Sequence, residues 1–187
     1  MSKIEDGIIV TDPEENHNTY RRFTSSALLD GVVVSRVRNS LLEGKLAKVI
    51  AEGIISPERF PLAVDLFAGD GSWAKRLVDN GWAPANITCV DIARTETPLV
   101  DGVNWLYLDL AALAHVANRG HLHGQVGQLR GRFDLAFSSF GAISTYGAED
   151  TADILCGFFI RRGGIAYAEG DFKLKGSRGK LIPLVQV

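Results

Sequence analysis

Residues 64–77 have the sequence VDLFAGDGSWAKRL. The apolar run ends at Asp65, the following segment carries Gly69 and Gly71, and apolar residues with helical spacing come next. This pattern predicts a buried strand, a tight turn and a helix. Glycines at such a turn let a ligand approach the backbone, and the first N–H groups of the helix lie beside that ligand.

The rest of the chain alternates short apolar runs with helical segments, which predicts a mainly parallel α/β sheet with helices on both faces. The expected strands are Leu62–Phe67, Ile87–Ile92, Val103–Tyr107 and Phe133–Ser138. The expected helices are Ser35–Ile50, Trp73–Asn80, Leu110–Asn118 and Ala148–Arg162. Two further apolar runs, Ile165–Phe172 and Leu181–Val187, predict an antiparallel C-terminal hairpin. Residues 1–20 are polar and are expected to form a flexible or surface arm.

The composition narrows the class of protein. The chain has 187 residues, a net charge of −2, 46% hydrophobic residues and a mean hydropathy of +0.07, which is typical of one globular domain. Its cysteines are Cys89 and Cys156, too few for a four-cysteine zinc site, and they argue against a secreted disulfide scaffold. No apolar stretch has the length of a membrane span, and the acidic N-terminus lacks a signal-peptide pattern. We therefore expect a cytoplasmic protein without a membrane partner.

Acidic residues stand at the ends of three successive predicted strands. They are Asp65, Asp91 and Asp109. In a parallel sheet these strand ends share one edge, where Asp91 could accept both hydroxyls of a ribose. Asp109 would lie where a carboxylate could contact an adenine amino group. Each carboxylate could instead cap the turn or the helix that follows it, and both alternatives stay open.

These residues together resemble the class I S-adenosylmethionine-dependent methyltransferases over roughly Leu62–Phe172. The resemblance implies a Rossmann-like fold, with residues 21–187 as a single domain and S-adenosyl-L-methionine as its cofactor. It assigns cofactor binding to Asp65, Phe67, Ala68, Gly69, Gly71, Ser72, Trp73, Asp91, Ile92, Asp109, Leu110 and Ser138. A nicotinamide-dependent oxidoreductase is disfavoured, because the turn lacks the third glycine of the dinucleotide fingerprint.

A narrower resemblance concerns the acceptor. VDLFAGDGSWA is similar to the first motif of the FtsJ-like RNA ribose 2′-O-methyltransferases, and SRVRNSLLE at residues 35–43 resembles their N-terminal helix. This resemblance implies RNA as the methyl acceptor. The family's catalytic Lys-Asp-Lys-Glu tetrad is not matched, since its positions fall on Ser40, Ser139, Glu169 and the neighbourhood of Gly179. Ribose methylation needs a lysine as base, and a serine does not replace it.

A site without the tetrad could still methylate an amine, a thiol or an acidic hydroxyl, because methyl transfer can rest on proximity and orientation. Glu169 or Asp171 is then the candidate base, and Ser139 would line the acceptor side. A shift of the tail by one or two residues would give Lys173 the place of a catalytic lysine. The expected acceptor is RNA or a small molecule. Two alternatives stay open: a catalytically silent cofactor-binding scaffold, and a non-methylating reaction on a small molecule in the same pocket.

Other features of the sequence have no assigned role. No metal site is predicted, because His121 and His123 form an H-x-H pair in a glycine-rich loop without a clear third ligand. Basic residues of the second half form either one basic surface or solvated charges without a common face. They are Arg119, Arg130, Arg132, Arg161, Arg162, Lys173, Lys175, Arg178 and Lys180. Leu181–Val187 could pair edge to edge in a homodimer.

Overall fold

The structure, a computed structural model, describes residues 3–5, 8–10, 48–91, 98–117, 124–138 and 151–168. A short antiparallel pair contains β1 (Lys3–Glu5) and β2 (Ile8–Val10). The main sheet contains β3 (Ala63–Leu66), β4 (Ile87–Asp91), β5 (Asn104–Tyr107), β6 (Phe133–Ser138) and β7 (Ile160–Ala168). The helices are α1 (Ser72–Asp79), α2 (Leu110–Ala117), α3 (Gly124–Gly127) and α4 (Thr151–Phe159), and a 3-10 turn, Pro84–Asn86, precedes β4.

All five strands of the main sheet run parallel, in the order β5-β4-β3-β6-β7. Within this sheet the chain enters at β3 in the centre and continues outward through β4 to β5. It then adds β6 and β7 on the other side of β3. The order therefore reverses between β3 and β6, and open α/β sheets bind ligands beyond the carboxyl ends of the strands at such a reversal. This is the Rossmann-like α/β sheet that the sequence predicts.

The sheet is buried on both faces, as its continuous apolar strands require. Val64 faces one core, which α2 and α4 cover with Leu113 and Leu155. Its neighbour Ala63 faces the opposite core, which α1 covers with Leu77. Helices thus lie on both faces of the sheet, which confirms the prediction.

Most element bounds agree with the sequence, but the end of α4 does not. β6 has its predicted bounds, and β3, β4 and β5 lie within their predicted strands. The predicted helix up to Arg162 is wrong at its end, because α4 stops at Phe159 and β7 begins at Ile160. Ile160 is buried and pairs with Phe133 of β6. Ile160 continues the apolar spacing of α4 although it belongs to β7, so the pattern of apolar residues does not mark the end of the helix.

β7 pairs with β6 in parallel, and the pairing is irregular near its start. Ile160 lies opposite Phe133 and Ile165 opposite Leu135, so residues 161–164 oppose the single residue Asp134. This segment is a bulge, which we call the β7 bulge. The predicted hairpin partner Leu181–Val187 lies outside the described residues.

The N-terminal region is described in part. β2 lies beside α2, and neither β1 nor β2 was predicted within the expected arm of residues 1–20. Of the predicted helix Ser35–Ile50, residues 48–50 are described, and they are helical. In the portion of the chain that the structure covers, no helix is both long and apolar enough to cross a bilayer.

The β7 bulge requires glycine at position 164. A Cβ on Gly164 would lie 2.7 Å from the Asp134 carbonyl oxygen and 3.0 Å from the Arg161 carbonyl oxygen, so the backbone would have to shift. Gly164→Ala should lower the free energy of unfolding by about 1–3 kcal/mol. Gly157→Ala is the matched control, because Gly157 is helical with nothing within 4 Å of its Cβ position. It should stabilise the protein by about 0.5–1 kcal/mol. Urea unfolding measures both, and equal effects would contradict the bulge geometry.

Candidate functional site

The carboxyl ends of β3, β4 and β5 lie side by side, with β4 in the middle. Asp65 lies in β3, Asp91 ends β4, and Asp109 follows β5. In the register of the sheet, Asp65 lies opposite Cys89, and Asp91 lies opposite Tyr107. The three strand ends that carry the predicted carboxylates therefore share one edge of the sheet.

The turn between β3 and α1 is fixed by carboxylates that accept hydrogen bonds from its backbone. Gly69 N–H donates to Asp91 Oδ2 at 2.8 Å, and Ser72 N–H donates to Asp70 Oδ1 at 3.1 Å. Gly71 N–H donates at 2.8 Å to a carbonyl within the turn. Since these three donors have partners inside the chain, the turn does not offer them to a bound anion.

Alternate residues of the turn have left-handed backbone conformations. Phe67 has φ 59°, Gly69 has φ 57° and Gly71 has φ 82°. Glycine adopts this region freely, whereas a phenylalanine loses roughly 1–2 kcal/mol there. The Phe67 side chain packs against the core beneath α2 and α4, which offsets part of that cost. Strained residues concentrate at functional sites, so Phe67 marks this turn as a candidate.

Asp65 is completely buried beneath the turn. Among the described residues, none donates a hydrogen bond of normal geometry to either of its carboxyl oxygens. Burial raises the pKa of Asp65 well above its ordinary value of 3.8, and the charges of Asp91 and Asp70 raise it further. The nearby Ala74 N–H lowers the pKa and so offsets part of this increase. A buried polar group without a good partner is rare and costly, and such groups are frequent at functional sites.

The charges at the turn are mainly negative. Asp65, Asp70 and Asp91 surround it, and each of the latter two acts on the pKa of the first. Lys75 of α1 is paired with Asp79 at 2.7 Å, one helical turn further along. A surface that concentrates carboxylates in this way attracts cations and repels anions.

Several predicted cofactor residues have side chains inside the two cores. The Trp73 ring is 6% exposed and stacks on Phe137, with ring centroids 5.3 Å apart. Ala68 and Leu110 are also buried, and Ser72, the first residue of α1, is half-buried. A ligand at the edge of the sheet would reach these residues mainly through their backbone. Their roles in cofactor binding stay predictions.

Asp109 caps a helix, which was one of the two alternatives that the sequence left open. Its Oδ1 accepts a hydrogen bond from Ala112 N–H at 3.0 Å, and its carbonyl oxygen accepts one from Leu113 N–H at 2.9 Å. Asp109 therefore fixes the start of α2 beside the end of β5. The contact of this residue with an adenine ring stays a prediction.

The remaining predicted site residues are described incompletely. Ser138 lies at the end of β6, opposite Leu66 of β3, so its backbone is at the same edge of the sheet. The residues that lie outside the described part of the chain are Ile92, Ser139, Glu169, Asp171, Lys173, His121 and His123. Within the described part, no group of three or more histidine, cysteine and acidic residues is arranged to hold a metal ion.

Two aromatic residues at this edge were missed by the sequence analysis. Trp105 and Tyr107 stack on one face of β5, with ring centroids 6.3 Å apart and an interplanar angle of 11°. A Cβ on Gly71 would lie 3.5 Å from the Trp105 indole, and Tyr107 lies opposite Asp91. The half-buried pair therefore extends from the turn to the end of β4. The sequence NWLY of β5 could have predicted this pair, because residues two apart in a strand share one face of the sheet.

Comparison with known proteins finds resemblance to solved structures. No protein-family model and no curated protein matches the chain. Solved structures that resemble it include proteins assigned as S-adenosylmethionine-dependent methyltransferases, one from Methanococcus maripaludis (20% identity, TM-score 0.45, 66% of this chain) and one from Mesorhizobium loti (18%, 0.41, 63%). Human N-acetylserotonin methyltransferase, in complex with S-adenosylmethionine, also resembles it (18%, 0.41, 61%). The matched region spans 55%, 50% and 30% of those chains.

The buried Asp65 should make stability depend on pH. Because its pKa is raised in the folded state, its favourable contribution is complete below pH 3.8 and is lost as the pH rises through the raised value. As the pH rises, the free energy of unfolding of the wild type should therefore fall relative to that of Asp65→Asn. Urea unfolding across this range measures the difference. Asp101→Asn removes an exposed carboxylate and should follow the wild type, whereas parallel profiles for Asp65→Asn and wild type would contradict the assignment.

Proposed function

We propose that the chain binds S-adenosyl-L-methionine at the shared edge of β3, β4 and β5 and transfers its methyl group to an acceptor. One observation carries this proposal: the backbone N–H groups of Gly69 and Ser72 are occupied by the carboxylates of Asp91 and Asp70. The turn thus presents negative charge, instead of these donors, to its ligand. S-adenosyl-L-methionine is a nucleoside with a sulfonium, an ammonium and a carboxylate group, so its net charge is positive.

Nucleotides that carry phosphate fit this turn poorly. Phosphate binding at a helix N-terminus uses free backbone N–H groups, and those of Gly69, Gly71 and Ser72 already have partners. Unlike charges attract and like charges repel by on the order of 4 kcal/mol at 4 Å and an effective dielectric constant of 20. A dinucleotide would meet this repulsion at Asp70 and Asp91, while a cationic nucleoside would be attracted. This agrees with the missing third glycine of the dinucleotide fingerprint.

The residues present fit the parts of such a cofactor. Asp91 would hold the ribose hydroxyls, and the Trp105–Tyr107 pair offers a flat apolar surface for the adenine ring. The glycines of the turn permit close approach of the aminoacyl portion. Asp65 is buried below the turn, and a cationic group bound nearby would favour the ionised form of its carboxyl.

Bound S-adenosyl-L-methionine supplies a methyl group on a sulfonium centre, with a neutral thioether as the leaving group. The chain contributes mainly orientation, since a displacement of this kind is accelerated by holding the two reactants in line. Burial raises the pKa of the Cys89 thiol, and the charges of Asp65 and Asp91 raise it further, so Cys89 stays protonated and is not the base. Ser139, Glu169, Asp171 and Lys173 remain the predicted groups on the acceptor side. The proposed acceptor is RNA or a small molecule.

Cofactor binding should depend on the charge at the turn. Asp91→Asn keeps an oxygen that can accept from Gly69 N–H but removes the charge, and it should weaken binding of S-adenosylmethionine by about 1.5–3 kcal/mol. The demethylated product lacks the sulfonium charge and should bind more weakly to the wild type. Asp101→Asn is the matched control, because it removes an exposed carboxylate from the loop before β5. Calorimetry measures the binding of S-adenosylmethionine to the wild type and to each variant, and the binding of the demethylated product to the wild type. No binding of either ligand at high micromolar concentration, or tighter binding of NAD, would reject the proposal.

Activity should require an open turn. Gly71 is buried with φ 82°, and its Cβ position lies 3.5 Å from both Trp105 and Val100, so Gly71→Arg should obstruct the turn and abolish methyl transfer. The measurement is transfer of labelled methyl from the cofactor to RNA or to a metabolite extract, with thermal melting as the control for folding. Cofactor binding without any transfer would contradict the reaction and favour a silent scaffold. Unchanged cofactor beside an altered substrate would identify a non-methylating reaction.

A further inference from the structure

Four arginines lie together at the amino edge of the sheet, away from the carboxylates described above. Arg130 and Arg132 immediately precede β6, and Arg161 and Arg162 lie in the β7 bulge. The two segments are in contact, because a Cβ on Gly131 would lie 3.9 Å from the Arg161 Cα. All four arginines are exposed. We call this group the arginine surface. The sequence left open whether nine basic residues share a face, and these four lie on adjoining segments. Those outside the described residues are Arg119, Lys173, Lys175, Arg178 and Lys180.

Two of the four arginines have contacts that explain their position. Arg161 Nε pairs with the carboxylate of Asp134, which is buried and also accepts a hydrogen bond from Leu62 N–H at 2.9 Å. The Arg130 guanidinium lies 5.1 Å from the ring centroid of Phe158, the penultimate residue of α4. Cations are favourable near the C-terminus of a helix, so Arg130 has a structural role as well.

The other two arginines have no such partner. No carboxylate in the described ranges lies within ion-pair distance of Arg132 or Arg162, and none pairs with Arg130 either. Asp134 therefore balances one of the four charges, and the other three arginines are exposed on the two adjoining segments. Like charges at short range repel, and an external anion relieves that repulsion.

We propose that the arginine surface binds the phosphodiester backbone of a single-stranded nucleic acid. The planar guanidinium group forms paired hydrogen bonds with phosphate oxygens and also stacks on exposed bases. The two segments form a sheet edge, not a helix or a two-stranded ribbon that could enter the groove of a duplex. Phe158 and Ile160, two large apolar residues of the described part of this surface, are 4% and 3% exposed and are not available to insert into a membrane. The proposal does not depend on cofactor binding, because that site lies at the opposite edge.

The test uses the full chain without cofactor and a short fluorescein-labelled oligouridine RNA, followed by fluorescence anisotropy at several salt concentrations. Arg132→Gln with Arg162→Gln removes two charges that have no structural partner among the described residues. This double variant should weaken binding by about tenfold at low salt, and the slope of log affinity against log salt should become shallower by about 1.4. Lys48→Gln with Lys75→Gln is the matched control, because it removes the same charge from exposed residues elsewhere and should leave the slope unchanged.

Three results would overturn the proposal. They are an absence of RNA binding by the wild type, equal affinities and slopes for the two double variants, and arginine-dependent binding to phosphatidylserine vesicles without binding to RNA. Melting temperatures equal to that of the wild type establish that both double variants are folded. Arginine-dependent RNA binding by a chain that fails to bind S-adenosylmethionine would support this proposal and reject only the proposed function.

Discussion

The hydrogen bond from Gly69 N–H to Asp91 Oδ2 connects the turn after β3 to the end of β4. Two backbone hydrogen bonds act beside it, since Ala68 N–H donates to the Val90 carbonyl at 3.1 Å and Leu99 N–H donates to the Asp70 carbonyl at 2.9 Å. Together these hydrogen bonds fix the turn against β4 and against the segment that leads to β5. Because a carboxylate supplies the central contact, the same bond that positions the turn also makes it negative.

The helix that follows the turn explains how a carboxylate can remain in the fold beneath it. Asp65 lies under the first turn of α1, where the helix end has a partial positive charge and the Ala74 N–H lowers the pKa of the carboxyl. Stacking of Trp73 on Phe137 holds this helix end on the sheet. The helix compensates only part of the cost of burial, as the raised pKa of Asp65 shows. A cation on the open side of the turn would supply compensation that the described residues lack.

The sequence predicted the parallel sheet well, because its strands are buried on both faces and stand out as apolar runs. It also placed Asp65, Asp91 and Asp109 at one edge, since strand ends in a parallel sheet share an edge. It failed where two structures have the same local pattern. The passage from α4 into β7 at Ile160 keeps the apolar spacing of a helix. For Asp109 the sequence left open a helix cap or a ligand contact, and the structure shows the cap.

The sequence predicted which element a residue belongs to better than whether its side chain lies in the core or borders the candidate site. Trp73 stands two residues after Gly71, yet its ring is in the core, because α1 presents that side to the sheet. Trp105 and Tyr107 lie on a strand that sequence analysis used only to place Asp109, although their stacked rings border the turn. Which residues border a site depends on packing between elements distant in sequence, and one sequence does not specify that packing.

The β7 bulge also affects how the sheet can grow. β7 is the outermost strand on its side of the described sheet, and such strands carry backbone groups that can template association with other chains. Four residues of the bulge face one residue of β6, so the first half of β7 lacks the regular repeat that an incoming strand would need. Uncontrolled polymerisation along this side is thereby discouraged, and a strand added in a specific way must align with Ile165 and the residues after it.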